Sequence, residues 1–543
     1  MSELFWSVDS LVVKDNAIFG FGWAFHARNE IAAIQLKFTF AGPANPILKY
    51  FSTDAGKPRE DVERAFPNHS NSLNSGYVVF CAFPEGLQLK SIDLICSIAD
   101  GSVVELAVPA SSVIHFSNDN EAESSRLMLR QFYLFFKRGV HLVRAGKFTS
   151  LFEKVKRYLN GRPKSALIKP ENLAVLLTAN ERKDVCLIVD HDLGGGANHY
   201  RDRLVNSIIH DERSVIILTY HVATLSHMLI VRNRRVNLRF SIPNKTFLLK
   251  ALKNLRVTDI IYNTAVSFVR PEEIPQLLIA IKHFTSARLQ VLIHDFFPIC
   301  PSHFLIDHES KHCHIPEISV CSNCIQKNQQ GFSTLFLARD MSKWRSLWGA
   351  LFAASDEVVT FSENSSKLML KAYPQIQLEK ISVVPHKVSH LTGKMPNVTN
   401  INSLCIGIVG QIGHHKGAVF VQALAREIKR RNLELKIVVI GAIEATCEPS
   451  VLSQTGSYKH DDLPDLIENT GANLFLFPSI WPETFSYVVQ ELMDMSLPVA
   501  CFNLGAPAER LASYTKGLVL NSMDTECVLD DLISFHRKIY LSH

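Results

Sequence analysis

The chain has 543 residues, a formal net charge of +5 and 47% hydrophobic residues, which is too long for one core and too apolar for a disordered or fibrous protein. No apolar run reaches the ~18 residues of a membrane span. The opening MSELFWSVDS has no basic stretch followed by an apolar one, so no signal peptide and a cytoplasmic location are expected. On that expectation the sequons at Asn68, Asn364 and Asn397 are chance matches, and the eleven cysteines point to reduced thiols or metal rather than a disulfide framework.

Residues 1–117 read as short β-strands separated by turns, the pattern of a small all-β sandwich domain: AIFGFGWAF, IAAIQLKFTF, GYVVFCAF and SIDLICSIA alternate or cluster β-favouring residues. Trp23 within it is a core residue or a sugar-stacking surface. Residues 118–183 follow as a basic helical linker. From Arg126 to Lys169 there are twelve Lys or Arg and a single acid, Glu153, leaving the remainder mildly acidic. Interleaved with Phe132, Tyr133, Phe135, Phe136 and Phe152, this stretch is either a solvated basic face or a surface for anionic membrane, placing the chain peripherally on the inner face of the plasma membrane. No nucleic-acid recognition motif accompanies it, so no nucleic-acid partner is expected.

The rhythm changes near residue 184. Val- and Ile-rich runs (VCLIVDHDL, SVIILTYH, VTDIIYN, LQVLIHDFF, EVVTFS, ISVVP) alternate with helical stretches to about 390, and the rhythm restarts at 400–543 with LCIGIVG, LKIVVIG, ANLFLFPS and PVACFN. Strands of that composition spaced by helices imply βαβ units, so two doubly wound Rossmann-like domains facing a cleft are expected. Ligands of such sheets sit at the carboxyl ends of the strands.

Three junctions carry candidate chemistry. Gly194, Gly195 and Gly196 lie between a strand and a helix in DHDLGGGANHY, either a tight turn or an approach for an anion at a helix N-terminus. In IGIVGQIGHHKGAVF, Lys416 and Gly417 open a helix after a strand ending at Gly410; the lysine is either exposed or a diphosphate contact. In PSIWPETFSYVVQELM, Glu483 stands in a loop and Glu491 inside the following helix, with Thr484, Phe485 and Ser486 offering amides at its start. Carboxylates so placed accept hydrogen bonds from hydroxyls of a sugar and a ribose.

The last segment resembles the E-x7-E signature of retaining GT-B glycosyltransferases of family 4, the bacterial polysaccharide and O-antigen type. The resemblance implies that Glu483 contacts the transferred sugar and Glu491 the nucleotide ribose. Gly410-Gln411-Ile412-Gly413-His414-His415-Lys416-Gly417 resembles the family's donor-phosphate loop, with Gln411 where arginine is common, so diphosphate neutralisation is weaker there or supplied elsewhere. GGGANHY resembles the loop near donor phosphate and acceptor, and His294 in LIHDFFP matches a histidine beside the donor sugar. The N-terminal region is similar to β-sandwich modules attached to such enzymes. The family implies retaining transfer of a hexose from a nucleoside diphosphate sugar to a growing polysaccharide or lipid-linked glycan. Glu483, Lys416 and His294 are then the catalytic candidates, and no cofactor is expected in the chemistry. A GT-B sugar-nucleotide epimerase and a non-catalytic GT-B scaffold are the competing readings.

A Cys-rich insertion at 298–330 holds Cys300, Cys313, Cys321 and Cys324, the last two at a metal-knuckle spacing. A structural zinc, free thiols and redox pairing are all open to it, with His303, His308, His312 and His314 as alternative ligands. Cys186, Cys405 and Cys501 sit in apolar strands as core residues.

Overall fold

The computed structural model describes residues 3–42, 45–116, 173, 177, 184–388, 395–398, 401–446 and 448–541. The basic aromatic stretch from Arg126 to Lys169 lies outside them.

The N-terminal region builds two sheets. Leu4–Lys14, Ala17–His26 and Gly76–Ala82 are the long strands of a five-stranded sheet; Ile31–Phe40 and Leu89–Ile98 centre a four-stranded one. Leu11 and Ile18 of the first share one buried cluster with Phe38, Phe40 and Leu94 of the second, so the sheets face each other across a common core. Trp23 is half-buried and stacks near Phe25, ring centroids 6.0 Å apart.

Two mainly parallel sheets follow. The first has eight strands in the order Asn237–Ile242, Ser226–Arg232, Ser214–His221, Asp184–Val189, Arg256–Tyr262, Arg288–Leu292, Glu357–Thr360, Ile381–Val383. The second has six, in the order Leu452–Gln454, Lys436–Ile443, Cys405–Ile412, Leu474–Phe477, Val499–Phe502, Gly517–Leu520. Their central strands are buried on both faces, and the pleat explains why these read as unbroken apolar runs. Val185, Leu187 and Val189 enter one core while Cys186 and Ile188 enter the core on the other face. In the second sheet Ile406 and Ile408 face one core and Val409 the other. Cys186 and Cys501 are buried, and Cys405 is half-buried. With the N-terminal sheets this makes a mixed α/β chain of two Rossmann-like domains, the GT-B arrangement.

One pair of strands departs from the expected rhythm. Ser226–Arg232 and Asn237–Ile242 form an antiparallel hairpin at the edge of the first sheet. Its tight turn is closed by Asn233, whose side chain accepts from Val236 N at 2.8 Å.

The topology fixes where ligands can enter. Asp184–Val189 has Ser214–His221 on one side and Arg256–Tyr262 on the other, so the winding reverses at its carboxyl end. Cys405–Ile412, between Lys436–Ile443 and Leu474–Phe477, is the corresponding strand of the second domain. Each switch point opens a crevice, and the two glycine-bearing loops emerge there. No helix among the described residues is long and apolar enough to cross a membrane.

Candidate active site

The loop after Asp184–Val189 is held from beneath by a buried polar knot. Gly194 N donates to Asn198 Oδ1 (2.7 Å), while Asn198 Nδ2 and Arg201 reach Asp190 Oδ2 at 2.7 and 2.9 Å and Asn263 Nδ2 reaches Asp190 Oδ1 at 3.0 Å. Burial pushes the Asp190 carboxyl up to about 6 against the pull of Arg201. Gly194 and Gly195 both have φ of +88°, and a Cβ at either would meet nothing within 4 Å. The glycines are there for backbone conformation and leave free space above the helix Gly196–His210.

In the second domain the strand runs past Gly410 to Ile412, two residues beyond the end expected from sequence. A single 3-10 turn, His414–Lys416, then leads into the helix Ala418–Arg430. Gly417, at φ +84°, packs so tightly on Pro478 that a Cβ would collide with its carbonyl oxygen. His415 stacks on Phe304 of the first domain, centroids 4.1 Å apart and planes within 5°. Lys416 lies close enough to Glu483 to favour its ionised form, although burial is the stronger influence and raises the Glu483 pKa. Glu483 Oε1 is buried and has no hydrogen-bond partner. Glu483 thus keeps a buried oxygen able to accept a hydrogen bond, on a carboxylate that Lys416 influences.

Thr484 crosses between the domains, its hydroxyl donating to the His294 carbonyl at 2.8 Å. Phe485 inserts into the core beside Val359 and Phe361 of the first domain and carries the Arg510 guanidinium 4.6 Å from its ring centroid. Ser486 caps the helix Tyr487–Asp494 by accepting from Val489 N at 3.3 Å. Glu491, on the same helix, is fully buried with its carboxylate 3.6 Å from His460 Nδ1.

His294 is enclosed by Phe361, Tyr200 and His386 at centroid distances of 4.5, 5.0 and 5.4 Å. Burial first, then the neighbouring His386 and His191, hold its pKa well below the ordinary imidazole value, so it is neutral. The backbone carbonyl of His294 serves Thr484, while its Nε2 is buried without a partner.

The candidates therefore gather on both walls of one cleft. Gly194–Gly196 and His294 stand on the first wall; Gly410, Gly413, Lys416, Gly417 and Glu483 to Glu491 stand on the second. Gln411 is exposed, and its side chain hydrogen-bonds Glu444. Tyr487 joins the walls: its ring lies 3.1 Å from where a Gly196 Cβ would sit, and its hydroxyl meets His386 Nδ1 (2.6 Å) and Arg203 (2.8 Å). Sequence reasoning passed over Asp190, Asn198, His386 and Tyr487. Only Asp190 carried a signal, a charge ending an otherwise apolar strand.

Cys300, Cys313, Cys321 and Cys324 are each half-buried free thiols. Cys300 senses Cys313 and Cys321 electrostatically, and Cys313 senses Cys324 as well, so the four occupy one neighbourhood. Among the described residues, however, no three His, Cys, Asp or Glu side chains converge into a group that could hold a metal as they stand. His312 and His314 pack on each other at 4.2 Å, and His303 stacks near Phe332, centroids 5.3 Å apart.

Residues 395–537 match the family model of glycosyl transferases group 1. This region is a glycosyltransferase domain. The matched region spans the Lys416 loop and both glutamates. No curated protein matches the chain. Among solved structures it is similar to Anabaena HepE in complex with UDP-glucose: 14% identity, 65% of this chain and 90% of that one, TM-score 0.41. Sucrose-phosphate synthase from Thermosynechococcus elongatus matches at 14% identity over 65% and 89%, TM-score 0.42. The catalytic domain of Arabidopsis thaliana starch synthase IV, bound to ADP and acarbose, matches at 10% over 66% and 92%, TM-score 0.40.

Proposed function

We propose that this glycosyltransferase is a retaining enzyme of family 4 that moves a hexose from a nucleoside diphosphate sugar to a growing polysaccharide or lipid-linked glycan. The observation that carries the reading is the buried pair Glu483 and Glu491 on either side of a Ser486-capped helix start, with Lys416 beside the first.

In this reading Glu491 accepts hydrogen bonds from the ribose. The glycine-rich turn and the 3-10 segment His414–Lys416 present amides to the diphosphate. Lys416 neutralises charge that grows on the leaving diphosphate as the glycosidic bond breaks, the kind of electrostatic help that costs nothing to reorganise in the transition state. Glu483, which keeps one buried unpartnered oxygen and feels the Lys416 charge, holds a hydroxyl of the transferred sugar. Neutral His294 adds an uncharged wall beside that sugar, and Thr484 ties its backbone to the donor side. No side chain acts as nucleophile; the departing phosphate takes the acceptor proton.

Two further parts belong to the proposal. A structural zinc on Cys300, Cys313, Cys321 and Cys324 would require the four neighbouring thiols to draw closer than they stand. The basic aromatic stretch from Arg126 to Lys169 would hold a cytoplasmic enzyme peripherally on anionic membrane. The experiment that tests the central reading is donor turnover. Purified protein should hydrolyse one nucleoside diphosphate sugar slowly in the absence of acceptor, and Glu491→Ala should weaken binding of the matching nucleotide by about 1.5–3 kcal/mol. A protein that binds no nucleotide sugar in a thermal-shift screen overturns it.

A further inference from the structure

The N-terminal two-sheet unit touches both Rossmann-like domains, and the two contacts differ in kind. Against the first domain it is centred on apolar packing, with an Arg270–Glu85 ion pair and a Ser52 N to Gln329 Oε1 hydrogen bond (2.6 Å) beside it. Val12 and Ala17 are members of that domain's core cluster, Phe19 and Phe80 pack onto it, and Phe80 stacks near Tyr220 with centroids 6.4 Å apart. Close-packed interiors of this kind move as one body. Against the second domain the contact is polar: Lys57 Nζ lies 2.6 Å from Glu444 Oε2, Asn74 Nδ2 donates to the Ala445 carbonyl at 2.7 Å, and Arg426 pairs with Glu30 at 3.6 Å. At Gly56, with φ +79°, a Cβ would come within 2.9 Å of the Glu444 carbonyl oxygen.

Glu444 stands behind the loop that carries Lys416. It follows the strand Lys436–Ile443, and its amide donates to the Ile412 carbonyl at 2.9 Å. Its carboxylate is bonded by Gln411 and lies 2.9 Å from where a Gly413 Cβ would sit. The carboxylate is largely buried, and among the described residues the cation facing it is Lys57, which also holds Asp54 at 2.7 Å. The loop therefore rests on a carboxylate whose counter-charge comes from a different domain, 387 residues away in sequence.

We propose that the N-terminal unit is a positioning element of the donor site, in which Lys57 neutralises and orients Glu444 and so sets the Gln411–Gly413 segment for the diphosphate. The inference rests on reading Gly410–Gly417 as the diphosphate loop. Without Lys57 an uncompensated carboxylate remains directly behind the loop that would hold two phosphates, and like charges across so thin a segment oppose binding. Because the unit is fused to the first domain by its core and latched to the second by an ion pair, it also links the relative placement of the two domains to the shape of that loop.

The test uses the full chain and measures binding of UDP, ADP, GDP, CDP and dTDP alongside their parent nucleosides. Lys57→Ala should weaken the diphosphate that the wild-type protein prefers on the order of tenfold while leaving its nucleoside unchanged, the range expected for stranding a buried charged partner. Lys57→Arg should restore most of the affinity, as should Glu444→Gln placed in the Lys57→Ala background. Arg426→Ala, at the same interface but paired with Glu30, should bind like wild type. A Lys57→Ala protein with lowered Tm and unchanged diphosphate affinity overturns the inference, and so does failure of Glu444→Gln to regain binding. If Glu491→Ala keeps full diphosphate affinity, or the wild type binds none of the five, the donor-site reading itself is wrong and the inference falls with it.

Discussion

The hydroxyl of Thr484 donates to the backbone carbonyl of His294 at 2.8 Å, joining the loop that follows Glu483 to the strand end on the opposite wall. The bond is partly buried at the meeting of two domains, so it registers the donor loop against the wall that would face the sugar. Thr484→Val keeps the shape and removes the donor, leaving the carbonyl orphaned at a cost of about 1–3 kcal/mol. We expect turnover to fall roughly tenfold or more, with nucleotide affinity nearly unchanged, because geometry between the walls is lost while the nucleotide contacts stay. Equal losses in both quantities would show that Thr484 acts on the donor loop alone.

The glycines offer a cleaner separation of fold from function. Gly195→Ala and Gly417→Ala both force a Cβ onto a left-handed residue, at φ +88° and +84°. At Gly195 nothing lies within 4 Å, so the conformational cost of a Cβ at φ +88°, ψ −171°, about 1–3 kcal/mol, is all the fold should feel. At Gly417 the same methyl meets the Pro478 carbonyl, and the Tm should drop much further. If Gly195→Ala nevertheless loses donor or acceptor binding, the empty space above that loop belongs to a ligand. Full activity in Gly195→Ala would make the turn purely structural.

What could be read from the sequence divides along the range of the interaction. The parallel strands were legible because burial on both faces writes itself into consecutive residues, Val185 to Val189 and Ile406 to Val409 alike. The glycine loops and the spacing of Glu483 and Glu491 are equally local. The hairpin from Ser226 to Ile242 was not, because arginines at 232, 234, 235 and 239 mask its alternation, and its pairing rests on the Asn233 turn. Nor could the sequence bring Tyr487 to Gly196 or Lys57 to Glu444. Those neighbours come from different domains, and no periodicity connects them.

Acid should loosen the protein around the cleft. Burial holds His191 at about 4 and His386 at about 3, and His227, away from the cleft wall, at about 4. An unfolded histidine titrates near 6.5, so below that pH the unfolded chain binds protons that the folded one refuses. Their contribution is fully present above about pH 6.5 and is lost as pH falls toward 4, by up to about 1.4 kcal/mol per pH unit for each histidine. Asp190 and Asp295, raised to about 6 by burial, act in the opposite direction between pH 6 and 4 but are fewer. Thermal unfolding from pH 7.5 to 4.5 should therefore show a falling Tm, and a flat profile across that range would contradict the burial of these imidazoles.

The four cysteines make a prediction that one measurement decides. A closed thiolate site holds one zinc at full occupancy and contributes folding energy outright. Protein purified without chelator should carry about one zinc per chain, and its removal should lower the Tm. If elemental analysis finds none, the four half-buried thiols are an ordinary reduced cluster, as their present spacing would allow.

The donor site itself is tested by a pattern across three substitutions. Glu491→Ala removes a buried carboxylate on the helix Tyr487–Asp494 and should weaken nucleotide binding by about 1.5–3 kcal/mol, the value of a charge-assisted hydrogen bond to a ribose hydroxyl. Lys416→Ala should leave nucleotide binding less affected and slow turnover ~10²–10³-fold, because charge on the diphosphate grows as the glycosidic bond breaks. Glu483→Ala should also reduce turnover with little change in nucleotide affinity, because Glu483 is coupled electrostatically to Lys416 and is read as holding the sugar rather than the ribose. Glu483→Gln discriminates further. It keeps the shape and one acceptor oxygen but drops the charge, so it should retain more sugar placement than alanine while losing the electrostatic coupling to Lys416. Nucleotide affinity would then follow Glu491, and turnover would follow Lys416 and Glu483. Wild-type transfer and wild-type affinity in all three alanine variants would put the donor elsewhere in the molecule.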